Sequence, residues 1–311
     1  MTNQESHLSV PVLLMLFNRP DITRELFKKL REAKPKKLFV AANGPRPNVP
    51  GDAELCNSVR AIFNEIDWEC EVHTNFPEVN INMHTRWYAS LDWFFESVDR
   101  GIVLEDDCIP DLSFFSYCAE LLEKYKNNPE IMHINGSNFQ FGRKRGNGSY
   151  YFSKYSHVWG WATWKRAWEK YDDTLVSFPS FKKEDSISTA VTSHKEKLYW
   201  LRYFDSLYFR TRNSCDIKWL YATWVSKGLS ITPNVNMISN IGYGLAAGHT
   251  LLKDKVMGQE VYDIGKIVHP TPLIFLPDAA ADSFTFKSYF YKSFFQKAFY
   301  KAAMQVAKIL R

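Results

Sequence analysis

The chain has 311 residues, 45% hydrophobic and 23% charged, with a formal net charge of +5. That length supports a sizeable core, and the balance excludes a disordered chain. So mild a charge, concentrated after Phe284, gives no footing for nucleic acid.

The opening MTNQESHLSVPVLLMLFNRP lacks a basic n-region, and its apolar run from Val10 to Phe17 is short for a signal peptide or a membrane span. The expectation is a cytoplasmic protein. Five cysteines, odd in number and without CxxC spacing, predict reduced thiols, not a disulfide framework or zinc site.

Val10 to Phe17 is predicted as a strand buried on both faces. Asp21 is placed to cap a helix over Ile22 to Glu32, and Lys37 to Ala42 reads as a second buried strand ending in the turn Asn43-Gly44-Pro45. Strand, helix and strand within about 35 residues form a βαβ unit. A helix over Asp52 to Ile66, a strand near Glu69 to Thr74 and an amphipathic helix over Arg86 to Val98 follow. Gly101 to Leu104 is a strand that runs into Glu105-Asp106-Asp107, and Asp111 to Tyr125 is the next helix.

After Ile131 to Ile134 the alternation fades into loops and short antiparallel strands from Gly136 to Ser156. A tryptophan cluster, helical stretches over Pro179 to Lys195 and Leu198 to Thr211, and a mixed part from Cys215 to about His269 complete the body. The fold class is therefore α/β, with a mostly parallel sheet in the first half and a mixed α+β subdomain against it. The division expected is 1–135 for nucleotide-sugar binding, 136–283 for the acceptor side and 284–311 for a basic aromatic helix.

In open α/β sheets, ligands bind at the carboxyl ends of the strands. The triplet Glu105-Asp106-Asp107 sits at such an end. Three adjacent carboxylates repel one another, and a hard divalent cation such as Mn²⁺ or Mg²⁺ would relieve that repulsion while bridging to phosphates. A helix start that merely uses the acids against its dipole explains the pattern as well. Asn18 and Arg19 follow the first strand and Asn43 the second, so they face the same crevice; His84 and Arg86 open a helix whose amino end suits anions. Each also fits plain turn or helix-start chemistry. Aromatic content of 16%, with 10 Trp, suits a sugar-binding cleft and equally an aromatic core.

The segment GIVLEDDCIPDLSFFSYC resembles the metal-binding strand of GT-A glycosyltransferases, especially the branch containing N-acetylglucosaminyltransferase I and its bacterial relatives. LLMLFNRPDITRELFKKL and VAANGP are similar to that family's first strand, helix and second strand. HVWGWATWKRAWEKYD resembles its Gly-Trp segment and CDIKWLYATWVSKG its acidic acceptor-side segment. The resemblance runs from about Val10 to Thr250 and implies a Rossmann-like GT-A fold.

It also implies site roles. Asp107 would contact the metal, and Glu105 and Asp106 the donor's sugar and ribose. Arg19, Asn43 and His84 would line the nucleotide pocket, with Asn43 standing where an acid is often found. Asp216 would be the catalytic base of an inverting reaction; a helix cap is its plain alternative. His249 would reach the metal or diphosphate, and Trp161 would contact a sugar. A UDP-sugar, UDP-GlcNAc by family, is the implied donor, and cytosolic placement with the basic aromatic tail points to a glycan or lipid-linked glycan of bacterial surface polysaccharide or lipopolysaccharide assembly as acceptor.

A non-catalytic carbohydrate- or partner-binding module on the same fold is the main alternative. Gly242-Tyr243-Gly244 comes too late in the chain for a dinucleotide fingerprint, and no basic glycine-rich amino-terminal loop supports a nucleotidyltransferase. From Phe284 to Arg311, nine aromatics and six basic residues predict either a helix lying on an anionic membrane surface, the inner face of the membrane, or one docked on the domain or on another subunit.

Overall fold

The computed structural model describes residues 8–243 and 256–291. Its first half alternates strand and helix as the apolar runs dictate: β1 (Val12–Leu16), α1 (Pro20–Ala33), β2 (Lys37–Ala42), α2 (Asp52–Ile62), β3 (Glu71–Asn75), α3 (Met83–Ser97) and β4 (Arg100–Glu105). The helix expected from Ile22 begins earlier. Pro20 needs no amide hydrogen in the first turn and has φ suited to a helix, so α1 starts there, with Asp21 in its first turn instead of at the cap.

The strands after β4 are β5 (Cys108–Pro110), β6 (Ile131–Asn135), β7 (Tyr150–Ser153), β8 (Trp161–Trp164), β9 (Leu229–Pro233) and β10 (Ile238–Asn240). The helices are α4 (Ser113–Lys124), α5 (Lys165–Trp168), α6 (Phe178–Lys183), α7 (His194–Tyr208), α8 (Cys215–Val225) and α9 (Ala279–Thr285). The helix expected over 179–195 is short α6 followed by a 3-10 turn over Ser186–Thr189.

Eight strands form one sheet in the order β3-β2-β1-β4-β8-β6-β9-β7. Every strand but β8 and β7 runs in the same direction, so the α/β, mostly parallel expectation holds. β6, β7, β8 and β9 continue this sheet, while β5 and β10 pair antiparallel in a separate two-stranded sheet. β8, from the tryptophan segment, enters antiparallel between β4 and β6.

Both faces are covered, which explains why β1 and β4 are apolar at consecutive positions. Val12, Leu14 and Leu104 pack with α1, α2 and α4 on one face, and Leu13 and Val103 with α3, α5 and α8 on the other. A third core joins α6, α7 and the outer side of α8 through Phe178, Trp200, Phe204 and Leu220.

Phe286, in the π-turn over Phe286–Phe290, is buried in that third core, and Phe290 packs 4.8 Å from the rings of Tyr155 and Trp200. Residues 292–311, most of the expected basic aromatic helix, lie outside the described residues. Among the described residues no helix is long and apolar enough to cross a membrane.

Candidate active site

In the parallel half, the chain leaves β1 for β2 over one face and reaches β4 from β3 over the other. The neighbours β1 and β4 thus flank the switch point of a doubly wound sheet, where the crevice opens at the strands' carboxyl ends. Met15 pairs with Glu105 there, so Asn18-Arg19 and the acidic triplet emerge side by side.

Strand alternation separates the acids. Glu105 follows Val103 onto the α3 and α8 side, where it lines a cavity of about 400 Å³ with His84, Trp87, Trp159, Ser214 and Asp216. Asp106 points toward α1 and is buried against Arg19, whose Nε donates to Asp106 Oδ2 at 3.1 Å and whose Nη2 donates to Asp106 Oδ1. The same Nη2 lies 3.0 Å from Asp107 Oδ2. A guanidinium thus supplies the counter-charge that adjacent carboxylates require. Donor contact by Asp106 would require Arg19 to release it.

Asp107 is buried and held from the far end of the chain. Asn240 Nδ2 donates to its Oδ1 at 3.2 Å, and Ile241 N donates to its carbonyl at 2.9 Å. A Cβ on Gly242 would stand 2.1 Å from Asp107 Oδ2, so only glycine lets this segment pass the carboxylate. Burial first, then the charges of Asp107 and Asp106, push Glu105 up to about 8. Asp106 is also raised, by burial, against the opposing pull of Arg19.

Among the described residues, no three His, Cys, Asp or Glu side chains gather as a metal-binding cluster. Asp107 Oδ2 faces Arg19 and its Oδ1 faces Asn240, so its carboxylate could serve a Mg²⁺ or Mn²⁺ ion held by one or two acids and completed by phosphate and water only with Arg19 moved aside. It does not fit a closed protein cage.

His84 and Asp216 meet across this cavity as the two helix starts converge. His84 stands in the first turn of α3, with Nδ1 3.4 Å from Cys215 Sγ. Asp216 stands in the first turn of α8, where the Ser214 hydroxyl donates to its Oδ1.

Other expected contacts are used within the fold. Asn18 donates to Asp52 Oδ1 at 2.5 Å. Asn43 accepts from Gly44 N and Ile81 N and donates to the Ile81 carbonyl, tying two loops together. Arg86 is buried, donating to Asn75 Oδ1 at 2.9 Å and to its carbonyl at 2.7 Å. Burial and then Arg60 lower its guanidinium to about 10.

Trp161 requires a correction. It is fully buried, stacked between Trp87 and His133 on the covered face of β8, and does not line the cavity beside Glu105. Trp159, two residues earlier, is the aromatic of that segment that lines the cavity. His249 lies outside the described residues. Sequence reasoning also missed Ser214, which a Ser-x-Asp helix start would have flagged. It missed Asn240 as well; no local signal links that residue to Asp107, 133 positions away.

No family model matches the chain, and no curated protein matches it. Among solved structures it is similar to a cytidylyltransferase from Leptospira borgpetersenii serovar Hardjo-bovis, at 12% identity over 71% of this chain and 94% of that one, TM-score 0.34. It is also similar to apo mouse xyloside xylosyltransferase 1, at 12% identity over 69% and 81%, TM-score 0.35. A third is 4-diphosphocytidyl-2C-methyl-D-erythritol synthase from Anaerococcus prevotii, at 9% identity over 62% and 98%, TM-score 0.32. Likenesses this distant assign no activity.

Proposed function

We propose that the chain is an inverting glycosyltransferase that moves a sugar from a nucleotide diphosphate donor to a glycan hydroxyl. The observation that carries this reading is the meeting of Glu105, His84, Trp159 and Asp216 around one cavity at the sheet's switch point. The donor is a UDP-sugar in this account, with UDP-GlcNAc favoured by the family resemblance.

Asp107 would hold the Mn²⁺ or Mg²⁺ ion, which when bound neutralises charge on the leaving diphosphate. Arg19, released from the acids, would meet the phosphates. Glu105 and Trp159 would bracket the donor sugar, the carboxylate on its hydroxyls and the indole on its C–H face. Asp216, oriented by the Ser214 hydroxyl, would take the proton of the acceptor hydroxyl as that oxygen attacks the anomeric carbon. One displacement from the far side inverts the centre.

Asp216→Asn removes the base and keeps the shape, so it should leave donor binding within about twofold and cut transfer by at least about 100-fold. Steady-state transfer with a parallel binding titration reads both. Transfer at the unaltered rate would reassign the base.

A further inference from the structure

The cavity does not end at Asp216. The same residue lines a second hollow of about 250 Å³ together with Tyr289, Phe290, Tyr199 and Tyr203. Those last two tyrosines also line a third hollow of about 570 Å³, with Lys195, Arg202 and Arg212 around it. Asp216 is shared by the first two hollows and Tyr199 and Tyr203 by the last two, so the three make a trough of adjoining hollows from Glu105 past an aromatic stretch to a cationic end. No acidic residue lines that end.

The three cations are exposed, and none forms an ion pair with a carboxylate among the described residues. They are placed nonetheless. Lys195 Nζ stands 3.9 Å from the centre of the Tyr291 ring, and the Arg212 guanidinium stands 5.2 Å from that of Tyr203. Cations held over ring faces keep N–H donors for an oxygen ligand. Aromatic faces suit sugar rings, and a cationic cluster beyond them suits a negative group.

We propose that this trough is the acceptor subsite and that it takes an acidic glycan, whose phosphate or carboxylate meets Lys195, Arg202 and Arg212. This rests on Asp216 acting at the reacting hydroxyl. A phosphate at the end of the glycan and a uronate within it both present negative oxygens to the cluster.

The test uses the full chain and three oligosaccharides of equal length: a neutral one, one ending in a phosphate and one ending in a glucuronate. Calorimetry at low ionic strength should show an acidic probe binding about tenfold tighter than the neutral one. Raising the salt should shrink the advantage. The double variant Arg202→Gln, Arg212→Gln should lose it, and both side chains are exposed enough to change without disturbing the core.

Preference for the phosphate probe alone names a phosphate-bearing acceptor, and preference for both names charge as the determinant. Equal binding of all three, or a preference that survives in the double variant, overturns the proposal. So does binding of vesicles containing anionic lipid without binding of any oligosaccharide, which would give the cations to a membrane surface. Absence of all binding overturns it too. Nucleotide binding is titrated in the same sample, so failure of the transferase reading shows there and leaves the glycan result standing.

Discussion

Arg19 and Glu105 show how the protein holds three acids together. Arg19 satisfies Asp106 and Asp107, while Glu105, on the opposite strand face, forms no ion pair among the described residues and is pushed up by burial and by Asp107 and Asp106 to about 8. An acid raised in the folded state gives stability that is full below its ordinary value near 4.5 and is lost as pH rises through about 8. Buried His133 and His157, lowered to about 3 by desolvation, act in the opposite sense, with full stability above 6.5 and loss below it. Between pH 6.5 and 8 the Glu105 effect is therefore the one that acts. Urea denaturation should show stability falling across that window by at most about 1.4 kcal/mol per pH unit, and Glu105→Gln should flatten the fall. An equal slope in both proteins would refute the assignment.

The two tryptophans make a contrasting pair at the same scale. Trp161→Ala empties a core site and should cost about 3–5 kcal/mol of stability. Trp159→Ala, at the cavity wall, should cost less stability and weaken donor binding instead. Thermal melts beside a nucleotide-sugar titration separate the two effects, and the reverse pattern would put the sugar at Trp161.

Among the elements, β1, α1, β2 and β4 were legible because doubly buried strands read as unbroken apolar runs and each is followed by turn chemistry. The acidic triplet was legible for the same reason, since it ends such a run. β8 was not. Trp161-Ala162-Thr163-Trp164 has aromatic content that fits a ligand wall, a helix or a strand equally, and its place between β4 and β6 is a long-range pairing. Gly160 makes the segment work: its φ of +58° turns the chain so that Trp159 lines the cavity while Trp161 enters the core. Gly160→Ala should therefore destabilise by about 1–3 kcal/mol, measured by chemical denaturation. An unchanged midpoint would mean that the turn tolerates a side chain. The hydrogen bonds of Asn18, Asn43 and Arg86 belong to loops that only the folded chain brings together.

At the scale of the molecule, the end of β10 meets the acidic triplet at the switch point. Asn240 and Gly242 reach Asp107, and the chain returns through α9 to pack Phe286 and Phe290 on the third core. The acids, two helix starts and an aromatic trough thus share one edge of the sheet, which is the arrangement a two-substrate transferase needs. On the proposed function, this edge binds a nucleotide diphosphate with a divalent ion at Asp107. Calorimetry with a panel of nucleotide diphosphates and nucleotide sugars, in Mn²⁺ and in EDTA, tests it directly. The account predicts Mn²⁺-dependent binding of one nucleotide family, lost in Asp107→Ala while that variant stays folded. A folded sample that binds no nucleotide with either additive would contradict it and leave a non-catalytic binding module in its place.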